Sequence, residues 1–222
     1  MPQKKTAIES SREAEIKAAL IDRLIARGFK TPRDVLINEF ALPTWQRRAD
    51  IVVVNGCLHI FEIKSDGDSL DRLDGQLRMY KQYAEKVSVV CAPRHTEEVL
   101  KLSPHWVEVI EVRGTSGNVC LRAKREGAPH SKVSKASLIS LLTAGDLASL
   151  LRGEGFTLPK PVYRLTLNQL AQRLPVETLK AAALLSLKKR FSKTSTRFIA
   201  ARDKSTFADD LRLLSRRNLI EI

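Results

Sequence analysis

The chain lacks any apolar run near the ~20 residues that a membrane-spanning helix needs. Its first residues, MPQKKTAIESSRE, hold no apolar segment of the kind that marks a secretory leader. A cytoplasmic protein without a membrane partner is therefore expected. Three cysteines, Cys57, Cys91 and Cys120, lie far apart and form no CxxC pair, which argues against a disulfide framework. Cys57 and Cys91 fall in apolar runs and read as buried thiols. No GxxxxGK[ST] run supports ATP hydrolysis, and no nucleophile elbow supports a serine hydrolase. His59, His95, His105 and His130 show no ligand spacing, and His59 reads as core. Asp66, Asp68, Asp71 and Asp74 do not fit a calcium loop. They read as turn and helix-start acids favoured by the helix dipole.

Acid is also scarce relative to base. Thirty-eight Lys+Arg stand against 25 Asp+Glu, a net charge of +13. Such a field attracts polyanions and speeds encounter with them. The excess is uneven: 17 basic and 8 acidic residues follow position 125, against 21 and 17 in residues 1–125. With 222 residues, 43% of them hydrophobic, the chain can build one medium domain, or a smaller core with an appendage.

The pattern predicts an α/β fold. Thr6 with Glu9 and Ser10 with Glu13 can form capping boxes for a helix that runs to Arg27 and stops at Gly28. Strands are expected over 35–40, 48–54 and 57–64, with Asn55-Gly56 as a hairpin turn. A helix over 69–85, capped by Asp68, carries Leu70, Leu73, Leu77, Tyr80 and Ala84 on one face. A strand (87–92), a short helix (95–102) and strands over 106–112 and 119–124 complete a mixed sheet flanked by helices. Residues 1–125 thus read as a core, 126–136 as a polar linker, and 137–222 as a basic helical region of five helices. The last of these helices are expected over ETLKAAALLSLKKRF and FADDLRLLSRRNL.

Within the core, Asp50 stands where a polar lead-in becomes a buried strand. Glu62 and Lys64 end the next strand and, two residues apart, share one face, with Ile63 on the other. Charges there need partners. Two close carboxylates repel unless a cation holds them, and Mg²⁺ or Mn²⁺ suits carboxylate, water and phosphate oxygens. A metal so placed can activate water and stabilise phosphate charge, with a lysine beside it. The blander reading is a surface salt bridge of Glu62 with Lys64 or Arg48. A strict two-residue turn would set Asp50 against Phe61 and turn Glu62 away, so a shared site demands an odd-residue loop or a bulge that sets Asp50 opposite Glu62. On the first helix, Ile16, Leu20 and Leu24 form the buried stripe and Glu13 shares its azimuth. Glu13 is therefore the expected third acid, with Glu9 next and Glu15 turned to solvent. Alternatively, Glu13 serves only its own helix N-terminus. Glu39, at the end of the first strand, could point to the site, but reads rather as an edge acid paired with Arg47 or Arg48.

The order helix-Glu, Asp, then Glu-x-Lys on an αβββαβ core resembles the PD-(D/E)XK nuclease superfamily over residues 9–112. The run also looks like small bacterial stand-alone members of that superfamily. Gln76 and Tyr80 match the Gln-x-x-x-Tyr of its RecB-type members, and Ala49 stands where many members have proline. The resemblance implies a restriction-endonuclease-like core and a Mg²⁺- or Mn²⁺-dependent nuclease. Asp50, Glu62, Glu13 and the carbonyl of Ile63 would hold the metal. Lys64 would be the catalytic lysine, with Gln76 and Tyr80 beside the site. DNA is expected ahead of RNA, and a homodimer is among the assemblies that relatives form. Lys188, Lys189, Arg190, Lys193 and Arg197, with Arg212, Arg216 and Arg217 after them, are expected to track nucleic-acid phosphates. The alternatives are a helical cap with solvated basic faces and, for the whole chain, a non-catalytic nucleic-acid-binding or assembly module.

Overall fold

A computed structural model of the chain describes residues 3–28, 34–43 and 48–214, with side chains from Arg12 onward. Helix α1 (Gln3–Gly28) precedes three strands, β1 (Val35–Ala41), β2 (Arg48–Val54) and β3 (Leu58–Lys64). Helix α2 (Leu73–Tyr83) leads to β4 (Lys86–Cys91). A 3-10 turn (Pro93–His95) and α3 (Thr96–Leu102) lead to β5 (Glu108–Arg113), and β6 (Cys120–Arg125) follows. The protein is α/β, with a six-stranded mixed sheet whose strands lie side by side in chain order. β1, β2 and β3 form an antiparallel meander, β3 to β5 run parallel, and β6 returns antiparallel. Short connections permit antiparallel neighbours, whereas α2 and α3 carry the chain back to start the next strand in the same direction.

β2 and β3 are apolar throughout because both sheet faces are covered. Leu73, Leu77 and Tyr80 of α2 pack with Val52, Val54 and Ile60 on one side. Ile16, Leu20 and Ile21 of α1 pack with Ile51, Val53, Phe61 and Ile63 on the other. The β2–β3 hairpin closes through three residues, Asn55-Gly56-Cys57, since Val54 pairs with Leu58. Gly56 supplies the positive φ of 96° that the turn needs. The pairing runs on to Ile51 against Phe61, so the next row sets Asp50 opposite Glu62. The odd-residue loop that a shared site demands is therefore present.

Three local expectations need correction. Asp68 does not cap α2, which starts five residues later behind Arg72 with no side-chain cap. Its carboxylate instead accepts from the backbone N–H and hydroxyl of Ser65, both at 2.7 Å, and shapes the turn after β3. Cys57 sits in the hairpin loop and is half-buried, while Cys91 is buried and Cys120 exposed. His59 is half-buried in keeping with its core reading, with its ring stacked on Phe61 and bonded to the Ser88 hydroxyl at 2.7 Å. Glu15 does not face open solvent, because it pairs with Arg12 and accepts from Ser116.

Beyond β6, residues 126–134 contain no helix or strand. They are strapped to the end of α2 by backbone bonds from His130 to Glu85 and from Ser134 to Gln82. Helices α4 (Lys135–Leu141), α5 (Ala144–Gly153), α6 (Arg164–Ala171) and α7 (Val176–Ala201) follow, then a 3-10 segment (Ala208–Leu214). The helix expected over 177–191 thus runs ten residues further, to Ala201, and the one expected over 207–219 is a 3-10 segment as far as it is described. Arg216 and Arg217 lie outside the described residues. The expected linker joins parts that share one apolar cluster: Leu138, Leu147, Leu167 and Leu187 belong with Val52 and Leu77.

Helix α7 also passes round the β1 edge. Leu187 and Phe191 serve the first cluster, and Phe198, two turns on, serves the second with Leu211 and Leu214. Phe191 meets the ring of Phe40 edge-on at 5.8 Å, and the Ser195 hydroxyl accepts from the Leu36 N–H at 3.0 Å. An edge strand with free backbone groups invites pairing with other chains, and α7 covers this one. Among the described residues no helix is long and apolar enough to cross a membrane. Phe191→Ala should lower unfolding free energy by about 3–5 kcal/mol. The exposed Lys193→Ala should stay within about 0.5 kcal/mol. Urea denaturation followed by circular dichroism distinguishes them, and equal small effects would mean that α7 does not pack on the sheet.

Candidate active site

The end of β3 projects Glu62 and Lys64 toward α2, and both are almost fully buried. The α2 stripe that packs on the sheet places Gln76 and Tyr80 over them, also buried. Lys64 Nζ donates to Glu62 Oε1 at 2.8 Å and to Gln76 Oε1 at 3.0 Å. The Gln76 amide in turn donates to Glu62 Oε1, and the Tyr80 hydroxyl donates to Glu62 Oε2 at 2.5 Å. The structure thus brings together the four residues expected here from β3 and α2. Glu62 and Lys64 do form an ion pair, yet it is buried and shared with α2, unlike a surface bridge. Burying such a pair is costly, and the added donors to Glu62 offset part of that cost. Burial and the Glu62 carboxylate push the Tyr80 hydroxyl pKa up, so it remains a donor.

Asp50 enters from β2. The ladder of paired residues ends at Ile51, and the Asp50 carboxylate accepts the Ile63 N–H at 2.7 Å. Its side chain is 17% exposed. Burial, followed by the neighbouring Glu62 charge, holds its carboxyl well above the usual carboxylate range, despite the opposing pull of Lys17 and the Ile63 N–H.

Two further residues stand near Asp50: Lys17, for which no role is expected from sequence, and Glu39, expected rather at the sheet edge. Lys17 lies on the Ile16–Leu20–Ile21 stripe of α1 with only 7% of its side chain exposed. Its Nζ sits 2.6 Å from Glu13 Oε1, bonds to Glu39 Oε1, and lies 3.9 Å from Asp50 Oδ1. Burial disfavours this ammonium, but Asp50, Glu13 and Glu39 outweigh it and raise its pKa. Glu39 does pair with Arg48 at 3.2 Å, as expected of an edge acid, but it also belongs to the site. Asn38 pairs with Ile51 and Phe40 with Ala49, so Glu39 stands opposite Asp50. Its φ of 54° is unusual for a non-glycine residue, and the side-chain alternation of β1 breaks there. Ile37 and Phe40, three residues apart, accordingly face the same cluster. The sheet therefore carries a row of three acids, Glu39, Asp50 and Glu62. The one sequence signal for Lys17 was a lysine on an apolar stripe, one turn after Glu13. Glu13 is placed beside Asp50 through Lys17, whereas the side chain of Glu9 lies outside the described residues.

These groups line a cleft of about 240 Å³ that includes Glu13, Asp50, Glu62, Lys64 and Gln76, with Arg48 and Arg72 among its walls. Oxygens of Glu13, Glu39 and Asp50 come within 4.8 Å of one another. The donor set fits a hard divalent cation: Asp50 Oδ1 accepts no hydrogen bond among the described residues, and Glu62 Oε2 accepts only from Tyr80. Two opposed carboxylates, one pushed toward its neutral form, are an arrangement that a cation would relieve. None of the basic residues expected on α7 lines this cleft. Lys189, Lys193 and Arg197 form an exposed face at intervals of four, and Lys188 is half-buried. Arg190 departs from expectation: it donates to the Leu141 carbonyl at 2.8 Å and lies against Phe191, so it ties α7 to α4.

A raised carboxyl binds its proton more readily in the folded chain than in the unfolded one. Its contribution to stability is present below the unfolded pKa of ~3.9 and is lost as pH rises through the folded value. In chelator, Asp50→Asn should therefore melt higher than the wild type at pH 8, and the gap should close toward pH 3.5. An unchanged gap across that range would remove the strain assigned to Asp50.

No solved structure matches the chain. A family model described as Bacteriophage P4 protein cII matches residues 6–215. A relative, "Protein cII" of Enterobacteria phage P4, is 37% identical over 210 residues, covering 94% of this chain and 79% of that protein. The match takes in the sheet, the acid row and the helices through α7, and the chain belongs to the Bacteriophage P4 protein cII family.

Proposed function

We propose that this protein is a Mg²⁺- or Mn²⁺-dependent nuclease of the PD-(D/E)XK type that hydrolyses phosphodiester bonds, in DNA ahead of RNA. The observation that carries the reading is the hairpin register, which sets Asp50 opposite Glu62 while Lys64 shares the Glu62 face. The order of α1, the β1–β3 meander, α2 and β4 supports a restriction-endonuclease-like core. Asp50, Glu62 and the Ile63 carbonyl would hold the metal, with Glu13 assisting. When bound, such an ion supplies charge stabilisation at the phosphate and lowers the pKa of a coordinated water. Lys64 spends two of its three N–H donors on Glu62 and Gln76 and keeps one to orient an attacking water. Gln76 and Tyr80 fix the Glu62 carboxylate, and Arg48 and Arg72 supply positive charge for substrate phosphates. The exposed Lys189, Lys193 and Arg197 would track phosphates further along the chain, and neutralising any one of them should lower the salt slope of binding by about 1.

One observation favours a second reading. Both oxygens of Glu62 already accept protein hydrogen bonds, as in a purely structural network on a non-catalytic nucleic-acid-binding module. A cleavage panel separates the two. Over single-stranded, duplex and branched DNA and RNA, the purified protein should cut at least one substrate with Mg²⁺ or Mn²⁺. Asp50→Ala and Lys64→Ala should each slow this by about 100-fold or more. Cleavage at equal rates by the variants rejects the assignment, and substrate binding without cleavage selects the binding module.

A further inference from the structure

We infer that Lys17 is a built-in counter-cation that occupies the place of a second metal ion, so that the cleft takes one divalent cation and no more. The inference rests on the metal reading above only for the ion at Asp50 and Glu62; the role of Lys17 stands on its own contacts.

Glu13, Glu39 and Asp50 come from α1, β1 and β2, three successive elements. Each offers an oxygen within 4.8 Å of the others, a spacing that a single cation can bridge. The cation already there is the Lys17 ammonium, bonded to Glu13 at 2.6 Å and to Glu39, with Asp50 Oδ1 at 3.9 Å. A Mg²⁺ ligated by Glu13 and Glu39 would lie about 2 Å from each oxygen, in the volume that Nζ fills. Size and like charge both exclude it. The ammonium stands 3.9 Å from Asp50 Oδ1, beyond hydrogen-bond reach, and leaves that oxygen able to ligate an ion.

Lys17 is thereby a positioning residue. It draws Glu13 toward the cleft, holds Glu39 in the row despite its strained backbone, and sets the number of metal ions at one. The lysine reaches the acids from an apolar stripe, among Ile16, Leu20 and Ile21. A methionine there keeps the stem packed and removes only the charge.

The test counts ions. Equilibrium dialysis and electron paramagnetic resonance titration with Mn²⁺ should give one ion per wild-type chain, two for Lys17→Met and one for Lys17→Arg. Melting of Lys17→Met should rise with Mn²⁺ by more than that of the wild type. Two ions on the wild type, or no gain in Lys17→Met, overturns the inference. No ion on the wild type but one on Lys17→Met keeps the role of Lys17 and removes the Asp50–Glu62 ion, so the two readings fail separately. If Lys17→Met does not fold in chelator, Lys17→Met/Glu39→Gln, which loses one charge of each sign, should fold. Its failure would make the Lys17 ammonium a requirement of folding itself and not a substitute for an ion, and would also overturn the inference.

Discussion

The structure turns on the repulsion between carboxylates held opposite one another across β1, β2 and β3. Glu39, Asp50 and Glu62 form that row, and Asp50 and Glu62 are largely withdrawn from water. In a medium of reduced dielectric such charges cannot all persist unless cations or donors reach them. The sheet can keep the row only because helices on its two faces bring those groups. From α2 come Gln76 and Tyr80, and β3 itself adds Lys64. From α1 comes Lys17. Asp50 receives the weakest compensation, a backbone N–H and a lysine at 3.9 Å, and its carboxyl is accordingly pushed toward the neutral form.

The polar row interrupts an otherwise apolar interior. Ile51, Val53, Phe61 and Ile63 fill one face and Val52, Val54, Leu58 and Ile60 the other, so the meander is fixed by packing along most of its length. Where the ladder stops at Ile51, the Asp50 carboxylate takes the Ile63 N–H. A buried backbone donor is thus satisfied by a side chain, and the strands part enough to open the cleft. Packing on both sides holds Asp50, Glu62, Lys64 and Gln76 in place, while Asp68 and Arg72 reach the cleft from the turn before α2.

Helix α7 gives the C-terminal part its structural sense. It lies on one face, covers the β1 edge and ends on the other face, so it joins the two apolar clusters. Its buried residues, from Leu179 to Phe198, explain why a chain this basic still folds its last third onto the sheet. The charges that remain, at Lys189, Lys193 and Arg197, stand on the outer side. Arg190 shows that a basic cluster in sequence is not one surface in space, since it spends its donors on helix carbonyls.

Sequence alone determined the order of strands and helices, because runs of β-branched and apolar residues, turn residues and helical apolar spacing are local signals. It also determined that Glu62 and Lys64 share a face and that Gln76 and Tyr80 lie on one helix, since those relations depend on spacing within one element. The requirement for an odd hairpin loop followed from the same arithmetic. Sequence could not show that Glu39 completes the row, because that depends on how β1 pairs with β2 and on a backbone break that no local pattern announces. Nor could it assign Lys17, whose stripe position reads as an exception until β1 and β2 bring two acids to meet it. The start of α2 was misplaced because Asp68 closes a turn on Ser65 instead of capping a helix, and both uses suit the same residue. Local geometry fixes which residues travel together. Which charges meet is settled only when separate elements pack, because electrostatic partners are chosen by distance in space.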